Sequence, residues 1–110
     1  MNSRRKGADG EREIAEILRT YGYDARRGQQ FSGLAGDADV IGMPGYHLEI
    51  KRVEKLNIDT AMAQSIRDAD AESIRAGTVI TPVVMHRRNR KEWLVTMRLD
   101  DFMRRIVQNA

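Results

Sequence analysis

Residues 39–51 read Asp39-Val40-Ile41-Gly42-Met43-Pro44-Gly45-Tyr46-His47-Leu48-Glu49-Ile50-Lys51, the pattern of two strands folded on a tight turn. Asp39 to Gly42 and His47 to Val53 are β-prone runs. Met43-Pro44-Gly45-Tyr46 puts Pro-Gly at the two central positions of a type II turn, so the stretch predicts an antiparallel hairpin. Side chains two apart in a strand share a face, about 6.6–6.8 Å from each other. Glu49 and Lys51 therefore project together, and Leu48 and Ile50 take the opposite, core-facing side. The hairpin brings Asp39 across from Glu49 to within one residue of register. Two carboxylates and one ammonium at a sheet edge can hold Mg2+ or Mn2+, and the lysine can orient a water or stabilise charge on a phosphate. That set suits phosphodiester hydrolysis. An E-x-K triplet alone is commonly an exposed ion pair worth about 0–1 kcal/mol, so the hairpin acid is what gives it meaning.

Working outward, Asp9 to Tyr21 carries Ile14, Ile17, Leu18 and Tyr21 at helical spacing, with Gly22 placed to stop the helix. Tyr23 to Arg26 reads as a short strand, and 28–36 as a loop of small residues without periodicity. On the far side, Thr60 to Arg75 presents Ala61, Ala63, Ile66, Ala69 and Ile74 on a helix ended by Ala76-Gly77. Thr78 to Met85 is a β-branched run in which Pro82 implies a bulge or an edge position. Glu92 to Met97 forms another strand and Leu99 to Val107 a closing helix. The order α-β-β-β-α-β-β-α predicts an α/β fold, a mixed sheet flanked by helices.

The chain has 110 residues, 41% apolar and 32% charged, which fits one domain with a core and a heavily charged surface. Cysteine is absent and there are two histidines, His47 and His86, so thiolate sites and a zinc cluster are excluded and any metal is held mainly by oxygen. The net charge of +3 and pI near 9.6 give a mild bias toward a polyanion. Basic residues cluster at Arg4-Arg5-Lys6, Arg26-Arg27 and Arg87-Arg88-Asn89-Arg90-Lys91. No apolar run approaches the roughly 18 residues of a membrane span and no signal-like segment opens the chain, so an intracellular protein is expected.

A third acid joins the pair. On a helical wheel Glu11 falls beside Ile14 and Leu18 on the inward face, whereas Arg12 and Glu16 lie opposite. A carboxylate there needs a partner, although an acid in the first turn also complements the helix dipole.

Arg5-Lys6-Gly7-Ala8 leading to Glu11-Arg12-Glu13, then Ala38-Asp39-Val40, then Leu48-Glu49-Ile50-Lys51, together resemble the archaeal-type Holliday junction resolvases and their phage relatives, within the PD-(D/E)xK superfamily. The resemblance covers the first half well and the second mainly in element order. It implies a restriction-endonuclease-like core, a homodimer, and Mg2+-dependent cutting of four-way DNA junctions, with Mn2+ as a substitute ion. Glu11 matches the family's helix-one acid, Asp39 its acid after the loop, and Glu49 with Lys51 its E-x-K pair. On that basis Asp39, Glu49 and the carbonyl of Ile50 are the expected Mg2+ ligands. Lys51 would position the attacking water, and Glu11 would hold a second ion or a water on the first. Ala38 stands where the family usually has proline, which leaves Asp37 as a rival to Asp39; the β-branched Val40-Ile41 directly after Asp39 favours Asp39.

For DNA contact the expected residues are Arg5, Lys6, Arg26, Arg27, Gln30 and Ser32, with Gln29 beside them, then Gln64 on the second helix ahead of Arg67, and Arg87 and Arg88 in the basic turn. His47 shares the face of Glu49 but reads as a structural or surface histidine, and Trp93 as core or interface. Few aromatics argue against a base-stacking single-strand module. The alternatives are a repair or restriction-type nuclease acting on duplexes or flaps, and a non-catalytic DNA-binding subunit whose acids are salt-bridge partners.

Overall fold

The computed structural model describes residues 3–28 and 38–109. The elements are α1 (Ser3–Thr20), β1 (Arg26–Arg27), β2 (Val40–Ile41), β3 (Tyr46–Arg52), α2 (Ile58–Ala76), β4 (Thr81–Arg87), β5 (Leu94–Thr96) and α3 (Leu99–Asn109), in the order the sequence predicts. The strands form one sheet, β1-β2-β3-β4-β5, in which β3 and β4 are parallel and the other pairs antiparallel. A parallel pair needs a long crossover, and α2 is that crossover.

The hairpin forms as expected. Tyr46 N–H donates to the Met43 carbonyl and Gly45 has φ 85°, the positive φ that the third position of a type II turn demands. Val40 pairs with Leu48, and continuing that ladder by one residue sets Asp39 opposite Glu49.

The two faces of the sheet differ. Leu48 and Ile50 on β3, Val83 and Met85 on β4 and Val40 on β2 pack against Ile14, Ala15 and Leu18 of α1 to form the core. The other face carries His47, Glu49 and Lys51, in register with Pro82, Val84 and His86 of β4, and α2 lies across it through its buried Ala61, Ser65 and Ala69. Small residues let that helix come close, and the Ser65 hydroxyl donates to the Val83 carbonyl at 3.1 Å.

Several boundaries move. Helix α1 begins at Ser3 rather than Asp9, because its basic opening turns continue the helix. Its inward face is Ile14, Ala15 and Leu18, while Ile17 and Tyr21 are exposed. Helix α2 starts before Thr60 because Asn57 caps it, its Oδ1 accepting from Thr60 N–H, and it ends at Gly77 in the left-handed region. Within it Ala63 and Ile74 face solvent, since the buried stripe runs through Ala61, Ser65 and Ala69 instead. Pro82 sits inside β4 without a bulge. Thr81 N–H donates to the Gly45 carbonyl on the β3 side, so the neighbouring Pro82 nitrogen faces the opposite side, where β5 pairs only with Val84 to His86. No donor is lost there.

Gly10 is the point of closest approach of α1 to β3: a Cβ built on it would lie 3.1 Å from the Arg52 Cβ and 3.6 Å from Ile50. Glu13, one turn on, then bridges Arg52 and Arg87 at 3.0 Å each. At the other end of the sheet, the Arg105 guanidinium of α3 donates to the Gly45 carbonyl and the Thr81 hydroxyl and covers the Tyr46 ring. Among the described residues no helix is long and apolar enough to cross a membrane.

Gly45→Ala forces a side chain into the left-handed region, which costs roughly 1–2 kcal/mol. Urea unfolding of this variant is expected to show a lower midpoint with an unchanged slope; an unchanged midpoint would show that the turn tolerates a Cβ.

Candidate active site

The site grows from β3. Alternation along the strand sends Glu49 and Lys51 to the α2 face, but that face is covered, so Glu49 is only 2% exposed. This removes the reading of Glu49-x-Lys51 as a solvent-exposed ion pair. Asp39, directly across the hairpin, turns its Oδ2 to accept from the Ile50 N–H at 2.9 Å. In a strand a residue's N–H and C=O point to the same side, so the Ile50 carbonyl faces the same edge as Asp39.

The electrostatics show how close the groups lie. Burial, then the charge of Glu49, pushes the Asp39 carboxyl up from 3.8 to about 7; Glu11 adds to the rise, while the Ile50 amide and Lys51 pull the other way. Glu11, Glu49 and Lys51 thus all act on Asp39 at the end of the hairpin. Glu11 reaches this edge because Gly10 brings α1 against β3, and its Oε1 accepts from Arg27 Nε at 3.0 Å.

A second group meets Glu49 from beneath α2. His47 is fully buried; its Nε2 lies 3.1 Å from Glu49 Oε1 and its Nδ1 3.5 Å from Glu72 Oε1. Burial draws the His47 pKa down, but the bonds to Glu49 and Glu72 outweigh it and the net direction is up. Ligand atoms of His47, Glu49 and Asp68 all lie within 4.8 Å of one another. The sequence reading of His47 as a structural or surface residue gives way to a buried one in contact with the E-x-K glutamate, and Asp68 and Glu72 were missed. A signal existed: Gln64, Asp68 and Glu72 recur at four-residue spacing on α2, among the buried Ala61, Ser65 and Ala69, and acids on an inward stripe require partners.

The expected DNA-contacting residues are dispersed. Arg5 is exposed on α1, and Lys6 pairs with Glu54 at 3.6 Å. Arg26 and Arg27 are exposed on edge strand β1, where Arg27 also holds Glu11. Gln64 is half-buried on α2 and Arg67 is exposed. Arg87 is tied to Glu13 and lies over the Trp93 ring, whereas Arg88 is exposed. Gln29, Gln30, Ser32 and the rival acid Asp37 lie outside the described residues. Beyond Lys51, a cleft of about 610 Å³ is lined by Lys55, His86, Arg87, Arg88 and Lys91 among others. His86 is next to Lys51 in the ladder, and its Nε2 is 2.8 Å from the Thr96 hydroxyl.

Compared with known proteins, residues 2–110 match the family model described as "Phage putative PDDEXK endonuclease". No curated protein sequence matches the chain. Among solved structures, the fold is similar to Archaeoglobus fulgidus Hjc, a Holliday junction resolvase from an archaeal hyperthermophile, with a TM-score of 0.55 and 21% identity over 79% of this chain and 72% of that one. The likeness shows a restriction-endonuclease-like fold: a mixed sheet flanked by helices.

The Asp39 carboxyl holds its proton more tightly folded than unfolded, so its contribution to stability is present in acid and is lost as pH rises from 3.8 toward 7. Metal-free protein and Asp39→Asn are expected to melt at similar temperatures near about pH 4.5, with the variant melting higher near about pH 8. Parallel pH profiles for the two proteins would contradict this.

Proposed function

The chain belongs to the phage PD-(D/E)xK endonuclease family, and from that premise we propose that it is a Mg2+-dependent, structure-specific DNA endonuclease that resolves Holliday junctions as a homodimer. The observation that carries this reading is the hairpin register: it puts Asp39 opposite Glu49 with Lys51 on the same face, at a sheet edge that Glu11 also reaches.

The donor set suits Mg2+, a hard cation that takes oxygen ligands. Asp39, Glu49 and the Ile50 carbonyl are the proposed ligands, Glu11 adds a further carboxylate, and Mn2+ can substitute. Burial first, and then the charge of Glu49, raise the Asp39 carboxyl to about 7, and a dication held there would favour both carboxylates in their charged form. When bound there, the ion supplies charge neutralisation on the phosphate and on the departing oxygen. Lys51 holds the attacking water in line with the bond that breaks and offsets charge on the phosphate. The Ile50 N–H fixes the Asp39 carboxyl, and Arg27 orients Glu11.

DNA backbone contact would fall to the exposed cations Arg5, Arg26, Arg27 and Arg88, with Lys6, Gln64, Arg87, Gln30 and Ser32 as further candidates. The cleft lined by Lys55, Arg87, Arg88 and Lys91, with Glu54 and Glu92 beside them, adds a cation-rich surface that could take a phosphodiester chain. The homodimer is supported by α3, whose Leu99 and Val107 are 71% and 69% exposed, next to an edge strand that exposes Leu94 and Val95. Residues 1–110 would act as one nuclease domain, inside a bacterial or phage-infected cell.

With labelled four-way, flap and linear duplex DNA, Mg2+ is expected to produce paired symmetric nicks in the four-way substrate, and Lys51→Ala to slow cutting by roughly 10²-fold or more. Cutting by Lys51→Ala at the parent rate sinks the assignment, and preferential cutting of flaps or duplexes replaces the junction reading with a repair or restriction-type one. Leu99→Glu combined with Val107→Glu is expected to halve the mass measured by light scattering after size exclusion, with circular dichroism unchanged.

A further inference from the structure

Sequence reading placed every metal ligand on the Asp39 side of Glu49 and none under α2. Beneath that helix, however, His47, Glu49 and Asp68 bring three ligand atoms within 4.8 Å of one another. His47 is 0% and Glu49 2% exposed, whereas Asp68 is only half-buried on α2, so the group has two walls inside the protein and one side toward water. We propose that His47, Glu49 and Asp68 form a second divalent-metal site, distinct in ligand chemistry from the all-oxygen one, that takes a transition-metal dication.

Three observations support it. The first is spacing. Two donors about 2.1 Å from one ion and at right angles are about 3.0 Å apart, and His47 Nε2 and Glu49 Oε1 are 3.1 Å apart. The pair is already spaced as neighbouring ligands.

The second is the other nitrogen. A metal-ligating histidine nearly always donates its remaining ring N–H to a carboxylate or carbonyl, which fixes the tautomer and orients the ring. His47 Nδ1 faces Glu72 Oε1 at 3.5 Å, while Nε2 faces Glu49. A histidine serving only as a cation between carboxylates needs no third acid; here a carboxylate oxygen of Asp68 lies within 4.8 Å of the ligand atoms of both His47 and Glu49.

The third is charge. Glu49, Asp68 and Glu72 bring three carboxylates around the single buried imidazole of His47. A second dication answers the excess that the first leaves under α2. Imidazole with carboxylate suits Mn2+, Fe2+, Co2+ or Zn2+ better than Mg2+, which prefers oxygen and its own waters. Glu49 has two carboxylate oxygens, so one can serve each ion.

The site shares Glu49 with the ion of the proposed nuclease reaction but rests on described geometry and is tested by binding, not by cutting. Metal-free protein titrated with Mn2+ is expected to take up two ions per chain, one of which shows imidazole nitrogen coupling in pulsed electron paramagnetic resonance. Asp68→Asn and Glu72→Gln, at partly exposed helix positions where the fold should survive, are expected to weaken that nitrogen-coupled ion roughly 10–100-fold. Asp39→Asn should retain it. Absence of nitrogen coupling in the parent protein, or coupling with unchanged affinity in both helix variants, overturns the proposal. A chain that binds two Mn2+ this way but cuts no DNA would leave the site standing and remove the nuclease reading; cutting without nitrogen coupling would do the reverse.

Discussion

The carboxyl group of Glu49 lies on the middle strand of the sheet with α2 laid across it, and a charge withdrawn that far from water has to be met by donors or cations. That need organises what surrounds it. His47, two residues back on the same face, meets one oxygen, and Lys51, two residues on, shares that face. The hairpin brings Asp39 opposite, and burial together with the charge of Glu49 raises the Asp39 carboxyl. On the core face, Leu48 and Ile50 anchor the strand between Val40, Val83 and α1, so β3 cannot rotate to return its polar side chains to water. Apolar packing on one face is thus what keeps charge buried on the other.

Short contacts at both ends of the sheet hold that arrangement. Close passage of α1 over β3 at Gly10 carries Glu11 to the site edge and lets Glu13 tie Arg52 to Arg87. At the turn, Arg105 from α3 bonds the Gly45 carbonyl and the Thr81 hydroxyl, which ties the hairpin loop and the start of β4 to the last helix. These pairs are partly exposed and individually modest. Their value is positional, since each joins the strand that carries the site to an element remote in sequence.

Local patterning made much of this readable. The period-two alternation of residues 46–52, the Pro-Gly turn and the Gly77 stop are decided within a few residues of themselves, and the structure reproduces the element order from them. Where extent depended on neighbours, the reading slipped. Helix α1 extends through a basic stretch with little apolar periodicity, the α2 stripe runs through Ala61, Ser65 and Ala69 because a small-residue face fits against the sheet, and Pro82 is accommodated in β4 because β5 is too short to ask for its missing donor.

For the candidate site the division is the same. By itself the sequence determined that Glu49 and Lys51 share a face, that Asp39 stands across a tight turn from them and that Glu11 points inward, because strand and helix periodicity and turn geometry are properties of the backbone over short spans. Only the tertiary structure decided that this face is buried rather than solvated, that Glu72 meets His47, and that Asp68 comes near both His47 and Glu49. Those contacts join β3 to a helix about twenty residues further along, and whether such partners meet depends on how the crossover helix packs on the sheet, which no short-range pattern contains.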